Sequence, residues 1–221
     1  VTSEADIDAA FAALNTSGQP LAALVNNAGI AAWAPLELQE ARAMRKIFDV
    51  NVFGVQRLTQ RLLPSLRAAR GRVINLSSVS GAMRPAFGVG AYSASKHALE
   101  ALSDSLRLEM LPFNVSVSIV EPAFVRSQVL ANAERAGMYR HTQPEAGALR
   151  DAYSWLLDSE RIARFWEEGM ARASHPAVTT SAITHALLNP FPRTRYPVAQ
   201  SLGIPAWLLL WLDWMLPDRL N

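Results

Sequence analysis

The sequence predicts an α/β protein, a parallel sheet layered with helices. Short apolar runs of strand length alternate along the chain with longer stretches of helical periodicity, which is the order of a layered α/β fold. The first of these runs, residues 21–25, is continuously apolar, as strands covered on both faces are.

Taken in order, residues 3–14 read as a helix. Ser3 stands as N-cap ahead of Asp6, and Ile7, Ala10, Phe11 and Leu14 recur at helical spacing. The Thr-Ser-Gly-Gln-Pro segment at 16–20 ends it. Residues 21–25 form an apolar run closing on Asn26, the pattern of a buried parallel strand. Residues 37–69 read as one long helix that Pro64 kinks or ends. Residues 72–76 read as a second strand, and 77–90 as a loop rich in Ser and Gly. Residues 92–111 form a helix with Leu99, Leu102, Leu106 and Met110 along one side, and 115–120 a third strand closed by Pro122. Further helices are expected near 146–173 and 176–188, then a short extended piece at 196–198 and a tryptophan-rich end. Neither a repeat nor a linker divides the 221 residues, so one domain is expected.

Half of the chain is apolar, enough for a sizeable core. The formal charge is +2, with Lys and Arg scattered, which argues against a nucleic-acid partner. The absence of cysteine excludes disulfides, thiol catalysis and thiolate metal sites, and fits a cytoplasmic protein. His97, His141, His175 and His185 show no ligand spacing, so no metal is expected. The longest apolar run, 204–216, is interrupted by Asp213 and falls short of the about 20 residues a spanning helix needs. Trp207, Trp211 and Trp214 share one helical face. Such a helix packs on the domain or a second subunit, or makes peripheral contact with a membrane interface.

Four features carry chemistry. Asn26-Asn27-Ala28-Gly29 closes the first strand, at the carboxyl edge where open α/β sheets place ligands. Asn51 sits inside the long helical stretch, and Ser77-Ser78 closes the second strand. Tyr92 and Lys96 stand four apart, so their side chains share a helix face. A free tyrosine is phenolate in about one molecule in a thousand at neutral pH. An adjacent ammonium is expected to lower that pKa, giving a group that exchanges protons with a carbonyl or alcohol oxygen. Ser78 can hydrogen-bond the same oxygen, and Asn51 can hold a water that passes protons on from Lys96.

In this order, Asn26-Asn27-Ala28-Gly29, Asn51, Ser78 and Tyr92-Ser93-Ala94-Ser95-Lys96 resemble the motifs of the short-chain dehydrogenase/reductase family, as does Glu121-Pro122-Ala123 through Ser127. The resemblance covers residues 1–128, the catalytic core, leaving 129–221 as substrate loop and C-terminal region. It implies a Rossmann-like, doubly wound parallel sheet and an NAD- or NADP-dependent oxidoreductase. Tyr92 would then be the general acid/base, and Lys96 would tune it and bind the nicotinamide ribose. Ser78 would position the substrate oxygen and Asn51 anchor a proton relay. Asn27, Ala28, Gly29, Pro122, Ala123, Val125 and Ser127 would line the cofactor with Asn51, Tyr92 and Lys96.

Segments 95–107, 193–198 and 216–220 are similar to the retinol and hydroxysteroid dehydrogenase branch. That similarity implies a bulky apolar alcohol or ketone as substrate and a homo-oligomer for the full-length protein. Residues 144–170, with Trp155, Phe165 and Trp166, would form a flap over the substrate.

The sequence departs from the family pattern at its start. Gly18 is the only glycine before Gly29, so the Gly-rich turn that binds the pyrophosphate is missing, with roughly three strands of the sheet. A truncated chain is expected, with a bare apolar edge on the first strand and little cofactor affinity. Ala123 stands where the family usually has glycine. The interval from Ser78 to Tyr92 is slightly longer than usual, which leaves Ser77 or Ser80 as alternatives for the serine role. Two rival readings remain. Ser93-Ala94-Ser95-Lys96 also fits the S-x-x-K element of serine acylases, and a truncated relative can serve as a non-catalytic interaction or dimerisation module.

Overall fold

Four parallel strands, β1 (Ala23–Asn26), β2 (Arg72–Leu76), β3 (Ser116–Pro122) and β4 (Arg195–Val198), lie side by side in that order. The structure is a computed structural model that describes residues 1–129, 151–154, 164 and 168–216. Register places Asn26 beside Asn75, Asn75 beside Ile119, and Val120 beside Tyr196.

Alternation along β2 sends neighbouring residues into two different cores. Val73 packs with Leu24, Leu62, Leu66, Met110, Val115 and Val117 beneath helices α3 (Val55–Ala69) and α4 (Gly90–Met110). Ile74 packs on the other face with Val120, Tyr196, and Ala182 and Ala186 of α5 (Ala177–Leu188). Apolar side chains thus lie on both faces of β2, and the sheet is doubly wound as expected. The carboxyl ends of β1, β2 and β3 gather Asn26, Leu76 and Pro122 at one edge, and the candidate site lies there.

Several boundaries follow the sequence. Helix α1 (Glu4–Ser17) starts where Ser3 Oγ accepts from the Asp6 N–H at 3.2 Å. Strand β2 has the expected bounds, and α4 starts two residues earlier than expected.

The stretch 37–69 is not one helix. It is divided into α2 (Ala41–Phe48), a π-turn (Asp49–Gly54) and α3. A π-turn inserts an extra residue per turn, and here its Asn51 is fully buried. Pro64 does not end α3. Its lost N–H costs a helical bond, but Leu62 and Leu66 on either side are buried at 4% and 0% exposure, and that packing prevails.

Strand β1 begins at Ala23 rather than residue 21 and pairs only with β2 among the described residues. Val25 is 36% exposed, where the apolar run reads as a fully buried strand. The last helix, α6 (Ala206–Met215), buries Ala206 and leaves Trp207, Trp211 and Trp214 exposed at 59%, 50% and 79%. The reading in which the tryptophan face packs on its own domain is therefore corrected. Arg84 ties α6 down by donating from Nε to Asp213 Oδ1 at 3.2 Å and from Nη2 to the Leu216 carbonyl at 2.7 Å. No helix among the described residues is long and apolar enough to cross a membrane. Most of the expected flap, including Trp155, Phe165 and Trp166, lies outside the described residues.

Candidate active site

Helix α4 brings Tyr92 and Lys96 to the carboxyl edge of the sheet, and its entry is fixed from outside. Gly88 has φ +79°, and a Cβ there would fall 2.3 Å from the Trp33 ring. The Ala34 N–H donates to the Gly88 carbonyl at 2.8 Å, and Phe87 meets Trp33 edge-on with centroids 5.7 Å apart. Trp33 thus sets where α4 begins. Sequence reasoning missed it, because a lone tryptophan between two alanines shows no local sign of the loop it braces.

Lys96 is 4% exposed, and its Nζ donates to the Leu76 carbonyl at 2.8 Å. It lies 5.8 Å from the Tyr92 ring centroid. Behind it, Gly81 closes the short turn after Ser78. A Cβ on Gly81 would sit 2.7 Å from Ser77 Oγ and 2.9 Å from Lys96 Cβ, so that turn can lie against Lys96 only without a side chain.

Asn51 clamps the segment after β1. Its Oδ1 accepts from the Ile30 N–H at 2.9 Å, and its Nδ2 donates to the Ile30 carbonyl at 2.9 Å and to Ser95 Oγ at 3.0 Å. Ser95 Oγ in turn donates to the Tyr92 carbonyl at 2.6 Å. Both Nδ2 hydrogens are thus engaged, and the side chain holds the wall of the site together instead of offering them to water. Gly29 lies over the result, since a Cβ there would be 3.5 Å from both Asn51 Oδ1 and Lys96 Nζ.

Of the three serines weighed, Ser78 faces Tyr92. Its Oγ accepts from the Ser80 N–H at 3.2 Å and donates to the Pro122 carbonyl at 3.4 Å. Ser77 faces Glu100 on the far side, and Ser80 serves Ser78 through its backbone. The longer interval is absorbed in the loop without a change of register. Ser93, the nucleophile of the acylase reading, has no exposed surface, so a substrate cannot reach it.

The other expected lining residues continue from strand ends. Asn27, Ala28 and Gly29 are exposed after β1, and Pro122, Ala123 and Val125 are partly buried at and after the end of β3. The Ala123 N–H donates to the Val198 carbonyl at 3.0 Å, Val125 bridges Ser174, and exposed Ser127 accepts from the Val129 N–H through Oγ at 3.4 Å. Asn26 takes a structural role that sequence reasoning did not give it. Its Nδ2 donates to Thr59 Oγ1 at 3.0 Å and to Asn75 Oδ1 at 2.7 Å, while Asn75 Nδ2 donates to Ser103 Oγ at 2.8 Å. This buried row joins α3, two strands and α4.

The electrostatics correct one expectation. Burial raises the Tyr92 pKa, offset in part by Ser78, and Lys96 does not pull it below the usual value. The ammonium is directed at the Leu76 carbonyl, and desolvation of the phenol outweighs its influence. Burial also lowers Lys96 to about 8, with Glu100 working in the opposite direction. In this state Tyr92 is a phenol at neutral pH, the form that donates a proton.

A family model described as short chain dehydrogenase matches residues 1–137. The chain belongs to the short-chain dehydrogenase family. Among curated relatives of this short-chain dehydrogenase, human retinol dehydrogenase 16 is 39% identical over 181 residues, covering 78% of this chain and 55% of that protein. Mouse mitochondrial D-beta-hydroxybutyrate dehydrogenase is 37% identical over 179 residues, covering 78% and 51%. The chain thus spans about half the length of the curated relatives it matches. A solved short-chain dehydrogenase from Streptomyces avermitilis superposes with a TM-score of 0.65 at 30% identity, covering 88% of this chain and 66% of that one. An NADP active-site complex of Pseudomonas aeruginosa RhlG superposes at 0.56 with 32% identity, covering 61% and 54%.

Proposed function

We propose that this protein is an NAD(P)-dependent oxidoreductase that moves hydride between the nicotinamide and an alcohol or ketone. The observation that carries the reading is the Tyr92 phenol, faced by Ser78 and followed one helical turn later by the buried Lys96, at the carboxyl edge of a parallel sheet.

The residues present fit the nicotinamide–ribose end of such a cofactor. Gly29 leaves the approach to Lys96 Nζ free of a side chain, and an ammonium has three donors, of which Leu76 takes one. Asn27, Ala28, Pro122, Ala123, Val125 and Ser127 would border it. When bound, NAD(P)H supplies the hydride. The chain's own part is proton transfer and orientation. Ser78 Oγ donates a hydrogen bond to the carbonyl oxygen, and the Tyr92 O–H passes its proton to that oxygen as hydride reaches the carbon. The charged Lys96 then favours the phenolate left behind. Oxidation of an alcohol runs the same steps in reverse.

A bulky apolar substrate is supported by similarity to retinol dehydrogenase 16 and to human 17-beta-hydroxysteroid dehydrogenase type 6, the latter 36% identical over 178 residues. The outward tryptophans of α6 support peripheral membrane contact, and exposed Phe53, Leu102 and Leu108 support association of the protein with its own copies. The test is loss of reduced-nicotinamide absorbance with NADH or NADPH and a panel of retinoid, steroid and short-chain carbonyls. Carbonyl-dependent loss is expected. Tight cofactor binding with no turnover on any carbonyl would favour the non-catalytic module instead.

A further inference from the structure

Behind the Tyr92–Lys96 pair, α4 continues with Glu100 and Asp104 at the same four-residue spacing, so four ionisable side chains run along one helix face. Glu100 is 7% exposed. Arg195 of β4 reaches it from the sheet, with Nη2 3.2 Å from Glu100 Oε2 and 2.7 Å from Asp104 Oδ2. The same guanidinium lies 3.4 Å, through Nε, from Oε1 of Glu121 on β3, which is 1% exposed. Ser77 faces Glu100 from the end of β2. Glu100 is thus met by Lys96 and Asp104 on its own helix, Glu121 on β3, Arg195 on β4 and the Ser77 hydroxyl. The proton-transfer steps proposed above use none of the three acids.

A buried carboxylate is costly unless it is paired, and here one oxygen of Glu100 has no hydrogen-bond partner while the other is held by Arg195. Three cations meet the three acids: Lys96 and Arg195 beside Glu100, and Arg107, which pairs with Asp104. Asp104 is matched by Arg107 and Arg195, and Glu121, raised to about 7 by burial and by the Glu100 charge, is the acid most ready to keep a proton. Burial raises the Glu100 pKa as well, against the pull of Arg195, and with Glu121 protonated the Glu100 charge is the one nearest Lys96 along the helix.

We propose that Glu100 is a positioning residue for the reaction: its carboxylate, fixed by Arg195 one helical turn behind Lys96, keeps the Lys96 ammonium charged and seated on the Leu76 carbonyl beside Tyr92. The proposal rests on the reading of Lys96 as the partner of Tyr92. Burial brings Lys96 down to about 8 even with Glu100 opposing it. Without that charge, the lysine loses its proton at lower pH, and Tyr92 loses the cation that stabilises its phenolate.

The chain has only two lysines, Lys46 and Lys96. Lysine labelled at Cε in a Lys46→Arg background therefore gives one resonance, whose titration reports Lys96 without any cofactor. A midpoint near about 8 is expected, and Glu100→Gln should move it down by ~0.5 pH units or more. If that variant does not fold, Glu100→Asp, which draws the carboxylate back by one methylene, should lower the midpoint by less. A midpoint that stays at the parent value in the folded variant overturns the proposal.

In an active preparation the kcat–pH profile should shift in the same direction as the resonance. A resonance shift with an unmoved profile overturns the role in the reaction. Absence of any turnover in the parent protein would count against the oxidoreductase reading and leave the lysine titration to be judged separately.

Discussion

Ser77 and Ser78 are neighbours in the chain, yet their hydroxyls face residues two helical turns apart on α4: Ser78 faces Tyr92, and Ser77 faces Glu100. The backbone is extended at Ser78, with φ −166° and ψ 158°, and extended chain turns successive side chains to opposite sides. A shift of one residue would exchange the two roles. Ser78→Ala should lower kcat/KM by about 10- to 100-fold, the worth of a hydrogen bond to an oxygen that gains charge. Ser77→Ala should change it by no more than about threefold, because its hydroxyl has no close hydrogen-bond partner to lose. Steady-state kinetics of the two variants decide the matter, and the reverse ranking would move the serine role to Ser77.

Gly88 is required twice over, by its left-handed φ and by the Trp33 ring against it. Gly88→Ala should therefore destabilise the fold by about 1–3 kcal/mol and loosen the start of α4. Chemical denaturation gives the first effect, and amide hydrogen exchange at the start of α4 reports the second. A variant as stable as the parent would show that the loop does not brace the helix.

Glu121 makes stability depend on pH. Its folded-state pKa, about 7, lies above the ordinary 4.5, so the folded chain holds this proton more tightly than the unfolded chain. That contribution is complete below pH 4.5 and is lost as pH rises through about 7. Glu121→Gln should flatten this decline and leave the variant more stable than the parent above neutrality, by about 1–3 kcal/mol. Melting temperatures across that range test it. Parallel curves for parent and variant would mean that Glu121 titrates normally.

The parts of this account legible in the sequence are those set by local pattern. Short strand-length segments between helices and breaks mark β2 and β3, and helical spacing places Tyr92 and Lys96 on one face of α4. The parts that were not legible depend on contacts distant in sequence. The π-turn at Asn51 is hidden in a helical pattern, because its driving partner, Ile30, lies 21 residues away. Pro64 in the sequence predicts a kink or an end, but the burial of Leu62 and Leu66 keeps α3 running past it. The pKa direction at Tyr92 was misjudged because spacing gives the neighbour, Lys96, and not the depth of burial or the carbonyl to which its ammonium is directed. Arg195 lies 95 residues from Glu100, and no local pattern announces that they meet.

The proposed chemistry depends on Tyr92 as the carrier of the proton. It is tested most directly by comparing Tyr92→Phe with the parent protein in a preparation that binds NAD(P)H, reading turnover and cofactor affinity together. In Tyr92→Phe, kcat is expected to fall about a thousandfold or more while cofactor affinity stays nearly unchanged. A Tyr92→Phe protein that keeps most of its rate would contradict it.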